Sequence, residues 1–296
     1  GSGVVATGLL LRQMDGVKRV LMIGAHPADE NTAVLAELAR GMGVETAYLS
    51  LTRGDGGQNL IGPELWDGLG VIRTGELESA RRLDGGRQFF TRAFDYGFSK
   101  RGDEALTFWP REELLSDVVW VIRKFRPQVI ISVFTGTPQD GHGQHQASGI
   151  MAREAFQAAG DPGRFPEQLS LGVEPWAPEK LYGGVWRRPT EATVRLETGA
   201  WDPLLGRSIY QLSMESRSFH RTQDMGAPQP MGPQVAGMRL EQSRSGTDPS
   251  LDDGLFAGVD TTLVGVASSL PEGAGARTRQ HLEAYRAALA GAREAF

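Results

Sequence analysis

Residues 20–30 read Val20-Leu21-Met22-Ile23-Gly24-Ala25-His26-Pro27-Ala28-Asp29-Glu30, in which an apolar run passes into a turn with a histidine and two carboxylates. A short apolar run of this kind is typical of a strand that is buried on both faces of a parallel sheet. A second apolar run, residues 129–133, is followed by a second polar segment, Asp140-Gly141-His142-Gly143-Gln144-His145-Gln146. Because the carboxyl ends of parallel strands meet in one crevice, we expect the two polar segments to lie together.

The spacing of these polar residues permits a catalytic metal site. Two neighbouring strand ends would bring His26, Asp29 and His145 around a single ion. Two histidines and one carboxylate, with a position left for water, are an arrangement used by catalytic zinc. The same residues also suit a purely structural role, because an aspartate near a helix start accepts hydrogen bonds from free backbone N–H groups. Spacing alone leaves both interpretations open.

The composition limits the classes of protein to which the chain can belong. Its 296 residues, of which 40% are hydrophobic, suit one sizeable globular domain. The net charge of −5 offers no basic surface for nucleic acid or for an anionic membrane. No apolar run of about 18 residues or more is present to span a bilayer, and the absence of cysteine excludes thiolate ligands. The compartment stays open between the cytoplasm and export after removal of a signal peptide.

Strands and helices alternate along the first half of the chain, which indicates a parallel sheet with right-handed crossovers. The apolar periodicity predicts strands at 17–23, 45–51, 88–92 and 129–133, and helices at 31–42, 70–84, 110–125 and 144–158. Later residues predict edge strands at 180–186 and 192–197, a mostly helical stretch at 203–221 and a helix at 277–295. We therefore predict an α/β fold, a Rossmann-like three-layer sandwich with a mostly parallel sheet, extra edge strands and a C-terminal helix.

The same pattern divides the chain into four segments. Residues 1–16 are an N-terminal segment that opens with Gly1-Ser2-Gly3, a sequence typical of a cloning remnant. Residues 17–225 are the main domain. Residues 226–260 are rich in glycine, proline, serine and aspartate, and we expect a long loop there that is either a lid or the contact surface of a homo-oligomer. Residues 261–296 are a helical segment, and we expect the parent chain to continue beyond it.

Five motifs in order resemble the PIG-L / LmbE-like family of zinc-dependent N-deacetylases. That family opens with a strand followed by Ala-His-Pro-Asp-Asp-Glu, and it carries a His-x-x-His after a later strand. The matching residues are Ala25–Glu30, Arg73-Thr74-Gly75-Glu76-Leu77, Asp95 in Phe94-Asp95-Tyr96-Gly97, His142 with His145, and the less perfect His220-Arg221-Thr222-Gln223. The ordered set is specific for a deacetylase domain over residues 17–225, whereas one motif alone is weak.

The resemblance implies how the metal site is built. His26, Asp29 and His145 would hold Zn²⁺, which polarises the amide carbonyl and activates water. His142 would protonate the departing amine or stabilise the developing oxyanion. We expect Asp140 to orient His142 and to sustain its positive charge, as a neighbouring carboxylate does.

The resemblance also suggests which residues bind the substrate. Arg73 would contact a hydroxyl or phosphate group of the substrate, although a surface ion pair with Glu76 would explain the same sequence. Asp95 would accept hydrogen bonds from sugar hydroxyls, and its alternative role is to form a turn. Arg53 and Asp55 are candidates for the rim of the same site.

The chain departs from the family at Ala28, where the family has the first aspartate of its pair. That carboxylate is the general base toward the attacking water, and a positioned base adds about 10²–10⁴-fold to a rate. We therefore expect an impaired zinc-dependent N-deacetylase, a hydrolase of the acetamide of an N-acetylglucosamine-type sugar or glycoconjugate. The alanine is either engineered or native. If it is native, the alternative is a non-catalytic domain that binds zinc and sugar, and a further alternative is an amidase of a larger conjugate.

Overall fold

The computed structural model describes residues 3–14, 16–185, 188–223, 226–246, 248, 254–268 and 272–296. Within them, a seven-stranded sheet lies between two layers of helices. The strands are β1 (Arg19–Gly24), β2 (Glu45–Ser50), β3 (Arg87–Phe90), β4 (Val129–Ser132), β5 (Lys180–Gly184), β6 (Val194–Glu197), β7 (Trp201–Asp202), β8 (Arg207–Ser208) and β9 (Val235–Ser243), of which β7 and β8 form a separate pair. The helices are α1 (Val4–Gln13), α2 (Thr32–Ala36), α3 (Asp67–Asp84), α4 (Gly102–Phe108), α5 (Arg111–Phe125), α6 (Gly143–Ala158), α7 (Ile209–Arg217), α8 (Leu263–Ser268) and α9 (Glu272–Ala295).

The strand order explains where a site can form. The sheet runs β3-β2-β1-β4-β5-β9-β6, and its first five strands are parallel. The chain passes from β1 outward to β2 and β3, and then returns to the other side of β1 as β4. This reversal is a topological switch point, and the crevice at the carboxyl ends of β1 and β4 is the usual position of a ligand in such a sheet. The predicted Rossmann-like three-layer sandwich is confirmed.

The sheet buries side chains on both faces, as a parallel sheet between two helical layers must. In β1, Leu21 and Ile23 point into one layer while Val20 and Met22 point into the other, because successive side chains of a strand alternate. The first layer packs the sheet against α4, α5 and α6. The second packs it against α2, α3 and α7, so both helices that follow the His-containing segments are anchored in the core.

The structure corrects the long loop expected at 226–260. Val235–Ser243 forms β9, which lies between β5 and β6 and pairs with both in the antiparallel sense. Met238 and Leu240 alternate into the core, but a strand this rich in polar residues, with glycine and proline around it, has no strong periodic signal. The lid and the oligomer contact stay predictions for the rest of the segment, in which residues 247 and 249–253 lie outside the described part.

Smaller differences concern the ends of the main domain. The N-terminal segment contains the helix α1, and α4 precedes α5 where we expected no separate element. The stretch 203–221 is less helical than expected, since β8 and a turn occupy its start. The expected strand end at 186 and the expected domain end at 224–225 fall outside the described residues. Across the described parts of the chain, no helix is long and apolar enough to cross a membrane.

Candidate active site

The turn after β1 has an unusual backbone. Ala28 has a φ of 77°, in the left-handed region that costs an alanine about 1–2 kcal/mol. The turn is closed by Asp29, whose Oδ2 accepts hydrogen bonds from the backbone N–H groups of Ala25 at 3.0 Å and His26 at 2.7 Å. The hydroxyl of Tyr48 on β2 donates to the carbonyl of His26 at 2.6 Å. The turn therefore holds the His26 ring and the Asp29 carboxylate at the carboxyl end of β1.

Two side chains from a distant part of the sequence hold the next two carbonyls of this turn. Gln223 donates through Nε2 to the carbonyl of Pro27 at 2.9 Å, and Arg217 at the end of α7 donates through Nη1 to the carbonyl of Ala28 at 3.1 Å. These bonds satisfy acceptors that a tight turn cannot satisfy internally. Side chains from the segment around α7 thus hold the turn by the carbonyl groups of the turn's backbone.

A buried ionic network supports the following residue, Glu30. Its Oε1 accepts hydrogen bonds from His220 Nε2 at 2.7 Å and from Arg81 Nη2 at 3.1 Å. The pKa of Glu30 is lowered to about 2, because the charges of His220 and Arg81 outweigh the opposing effect of burial. Arg81 also binds Asp84 at 2.7 Å. His220, in the late motif, is therefore hydrogen bonded to Glu30, in the first motif, and the spacing of the motifs in the sequence does not predict this contact.

Three imidazoles meet beside the Asp29 carboxylate. One ring nitrogen from each of His26, His142 and His145 lies within 4.8 Å of the others. Asp29 Oδ2 lies 3.4 Å from His26 Nδ1, and its Oδ1 lies 3.5 Å from His145 Nε2. The three predicted ligands are therefore adjacent, and His142 is close enough to join them. The choice among these four groups stays a prediction.

This donor set fits a divalent metal ion. Neutral imidazole nitrogens and a carboxylate are suitable zinc ligands, and the buried Nδ1 of His142 has no hydrogen-bond partner among the described residues. The pKa of the Asp29 carboxyl lies far below its ordinary value: burial opposes this, but hydrogen bonds and charge from His145 and His26 outweigh it. Asp29 is therefore an ionised ligand candidate.

The histidines differ in their own protonation. Burial alone would lower the pKa of His26, but the hydrogen bond and charge of Asp29 outweigh it and raise this pKa to about 8. Burial and, to a smaller extent, the neighbouring charges of His145 and His26 together lower the pKa of His142 to about 4. His142 is therefore neutral at neutral pH and has a free acceptor for a proton.

The histidine rings are fixed by neighbours on α6 and on the loop before it. His145 Nδ1 lies 3.1 Å from the carbonyl oxygen of Asp140, and the Phe134 ring stacks on His145 with centroids 4.0 Å apart. A ring nitrogen bonded to a carbonyl fixes the tautomer and leaves the other nitrogen for a metal. His26 Nε2 is hydrogen bonded to Gln144 Oε1. Gln144 was missed by sequence reasoning, and its only signal was its position between two histidines.

The structure corrects the expected partnership between Asp140 and His142. The Asp140 carboxylate accepts hydrogen bonds from the backbone N–H groups of Thr135, Gly136 and Thr137 at 2.7–3.2 Å, and from the Thr135 hydroxyl at 2.9 Å. All of its bonds therefore serve the loop between β4 and α6. Asp140 reaches the site through its backbone carbonyl on His145, not through its carboxylate on His142.

Arg73 is buried and holds the loop after β2. It donates to the carbonyl oxygens of Gly54 and Gln58, both at 2.7 Å, and to Thr222 Oγ1 at 3.3 Å. Glu76, the alternative partner on the same helix, instead accepts two hydrogen bonds of 2.8 Å from Thr222. The predicted contact between Arg73 and substrate stays a prediction, and the structure adds a loop-holding role.

The other predicted substrate residues lie on the β2 and β3 side of the crevice. Asp95 is buried, and its Oδ1 accepts hydrogen bonds from the Gly97 backbone at 2.9 Å and from Gln144 at 3.1 Å. Its own N–H donates to Asp55 Oδ1 at 3.2 Å. Arg53 turns away toward α3, where it donates to Thr74. Asp95 is thus connected to the histidine cluster through Gln144, whereas Arg53 is not.

A cavity of about 720 Å³ adjoins the histidine cluster on the side of β5 and β9, away from Asp55 and Asp95. Asp29 and His145 form part of its wall, and Phe134 also lines the cavity. The rest of the wall consists mainly of apolar side chains from β1, β4, α2, α7 and β9. The site therefore lies between a polar side and an apolar side.

Comparisons with known proteins cover the part of the chain that carries the three histidines. Residues 21–156 match the family model described as PIG-L: GlcNAc-PI de-N-acetylase. A 1D-myo-inositol 2-acetamido-2-deoxy-alpha-D-glucopyranoside deacetylase of Kineococcus radiotolerans is 32% identical over 223 residues, which are 64% of this chain and 59% of that protein. The enzyme of the same name in Geodermatophilus obscurus is 32% identical over 184 residues, or 56% and 60% of the two chains. The chain thus spans about three fifths of the length of these relatives.

Two solved structures share the fold at low sequence identity. The N,N'-diacetylchitobiose deacetylase from Pyrococcus horikoshii, complexed with its inhibitor, has a TM-score of 0.57 and 19% identity, and the match covers 76% of this chain and 84% of that one. The 4-carboxy-2-hydroxymuconate hydratase GalB from Pseudomonas putida KT2440 has a TM-score of 0.54 and 15% identity, with coverages of 78% and 99%. Because these two enzymes are named for different reactions, the fold alone does not decide the reaction.

Proposed function

We propose that the chain, which matches the PIG-L family model over residues 21–156, is a zinc-dependent N-deacetylase of an N-acetylglucosamine-type sugar or glycoconjugate. The observation that carries the proposal is the convergence of His26, His142 and His145 beside Asp29 at the switch point of the sheet. The names of the relatives support the substrate class, since each acts on a 2-acetamido sugar conjugate.

In this proposal, His26, Asp29 and His145 hold the zinc ion. When bound there, zinc supplies Lewis-acid polarisation of the amide carbonyl and makes water more acidic. Gln144 keeps His26 in place, and the Asp140 carbonyl keeps His145 in place. These fixed contacts keep the ligand set organised before the metal arrives.

His142 is the proton carrier of the proposed reaction. A pKa lowered to about 4 makes the neutral ring a weak base and the protonated ring a strong acid. A proton that the ring takes up from the attacking water would therefore pass readily to the departing nitrogen, which cannot leave as an amide anion. Arg73, Asp95, Asp55 and Arg53 are proposed for the sugar side, with Asp95 the best placed because Gln144 joins it to His26.

Ala28 makes this form of the chain a weak catalyst. Its methyl group cannot accept a proton or hold the attacking water. Aspartate enters the left-handed region more readily than alanine does, so the φ of 77° suits the aspartate that the family has at this position. The alternative function, a domain that binds zinc and sugar without turnover, rests on the same residue.

Metal content tests the ligand set of the proposal. The zinc-loaded chain should hold one zinc ion per molecule, and His145→Ala should lose most of it. Phe134→Leu, which removes only the ring stacked on His145, is the matched control and should retain the metal. Full retention of zinc by folded His145→Ala would exclude His145 as a ligand.

A further inference from the structure

The cavity beside the histidine cluster is too large for an acetyl group. Its volume of about 720 Å³ lies in the range of pockets that hold drug-sized ligands, about 300–1,000 Å³. An acetyl group has only two carbon atoms. The cavity therefore has room for a much larger part of the substrate.

The residues that line the cavity indicate the chemical character of that part of the substrate. Met22, Ile131 and Met238 come from the core of the α2 and α7 layer, and Phe134 lies against His145. The larger part of this wall is apolar and gains free energy by covering hydrocarbon, although polar side chains such as Asn31, Tyr210 and Gln234 also line the cavity. An alkyl chain therefore matches the apolar part of the wall better than a polyhydroxylated sugar does.

The position of the cavity decides which end of an amide enters it. Asp55 and Asp95 follow β2 and β3, on one side of the β1–β4 switch point, whereas the cavity extends toward β5 and β9 on the other side. The cleaved amide bond must lie between, at Asp29 and His145. When the sugar lies on the polar side, the acyl group of the amide points into the apolar cavity.

We propose that the amide cleaved by this chain carries an apolar acyl group of several carbons, longer than acetyl, which lies in this cavity. This inference rests on the proposed function and narrows its substrate to N-acylated amino sugars with a medium-length acyl chain. The reaction stays a hydrolysis: water adds to the carbonyl carbon, the C–N bond breaks, and a carboxylic acid and a free amino sugar are released. Ala33, Val34 and Val133 line the cavity and set how long a chain it accepts.

Calorimetric titration of the zinc-loaded chain with a ligand series tests the inference. The probes are N-acetyl-, N-butanoyl-, N-hexanoyl- and N-octanoyl-glucosamine, and Ala28 favours such binding measurements because turnover is slow. Affinity should rise by roughly fourfold per added methylene, the ratio that corresponds to burial of one methylene group. The octyl glycoside of N-acetylglucosamine has a similar chain on the other end of the sugar and should show no comparable gain. An equal or larger gain for that glycoside would overturn the assignment of the cavity to the acyl group.

Filling the cavity provides a second test. Val133→Phe adds bulk inside the cavity and should lower affinity for the N-octanoyl probe far more than affinity for the N-acetyl probe. Val5→Phe, the same substitution on α1 and outside the cavity, is the matched control and should leave the chain-length series unchanged. If Val133→Phe does not fold, Met214→Trp on α7 adds bulk to the same cavity from a helix of its wall. A folded filling variant with an unchanged chain-length series would contradict the inference.

Rates separate this inference from the proposed function. The Ala28→Asp variant should release octanoate faster than acetate from the corresponding probes at low substrate concentration. If it releases acetate from N-acetylglucosamine and shows no preference for longer chains, the N-deacetylase proposal stands and the acyl inference fails. If it releases no acid from any member of the series, the proposed function itself fails.

Discussion

The two turns that supply the histidines follow neighbouring central strands, but they are held in different ways. The turn after β1 is closed by Asp29, but most of its other bonds come from side chains far away in the sequence: Tyr48, Gln223 and Arg217 bind its carbonyls, and His220 and Arg81 bind Glu30 at its end. The half of the site that lies on this first turn therefore depends on contacts that only the tertiary fold supplies.

The loop after β4 is held by its own residues. The Asp140 carboxylate binds three successive backbone N–H groups of the same loop, and its carbonyl binds His145 five residues later. The loop itself is therefore specified mainly by local bonds, and its distant contacts, such as that of the Gly143 N–H with the Ser99 carbonyl oxygen, lie where α6 begins. Substitutions of the buried residues that support the first turn should therefore lower the stability of the whole protein. Substitutions in the second loop should change mainly the structure of that loop.

The largest expected effect on stability is that of Arg81→Met. This change leaves the buried carboxylates of Glu30 and Asp84 without their shared cation, and loss of one partner from a buried ion pair costs about 3–5 kcal/mol. Denaturant unfolding should show a global loss of this size. Arg82→Met, one residue along the same helix and exposed, should change stability by less than about 0.5 kcal/mol. Equal effects of the two variants would show that the network behind the first turn is unimportant.

Asp140→Ala should have a smaller and more local effect. The change leaves backbone N–H groups of the loop without their acceptor, at a cost of about 1–3 kcal/mol. Hydrogen exchange should accelerate at Gly136 and Thr137 and stay protected in β1. Asp161→Ala is the control, because Asp161 binds the Gly163 N–H in the same local way but is exposed and remote. Accelerated exchange throughout the sheet after Asp140→Ala would contradict local control of this loop.

The smallest expected stability effect is that of Ala28→Gly. Glycine adopts a φ of 77° without the steric cost that alanine has, so the folded state should gain up to about 1 kcal/mol. The melting temperature should rise slightly, and metal content should not change. Ala36→Gly, in the buried helix α2 where no positive φ is required, should lower stability. A loss of stability in both variants would mean that the first turn is not strained at position 28.

The sequence predicted those features that depend on neighbouring residues. The apolar runs of β1 and β4, each followed by its histidine segment, were enough to predict the sheet and the meeting of His26 with His145. Ala28 shows in the sequence that the chain departs from the motif of the family that it resembles, but only the structure shows the positive φ at this residue.

Features that depend on distant partners were not predictable in this way. The bond between His220 and Glu30 joins residues 190 positions apart, and no periodicity encodes it. The sequence predicts a loop where β9 lies, because its partners, β5 and β6, are supplied by the fold and not by a hairpin turn. Asp140 was given the wrong partner, since its carboxylate and its carbonyl have separate roles that residue type cannot distinguish.

We propose that His26, His142 and His145 form, with Asp29, a hydrolytic metal site that lacks only its base. The most direct measurement compares acid release by the zinc-loaded chain and by its Ala28→Asp variant on N-acetyl- and longer N-acylglucosamines. The variant should hydrolyse the amide about 10²-fold faster or more, with unchanged zinc content, as expected when a positioned base is restored. Folded, zinc-loaded Ala28→Asp with no turnover above background on any of these amides would contradict the account and favour a domain that only binds.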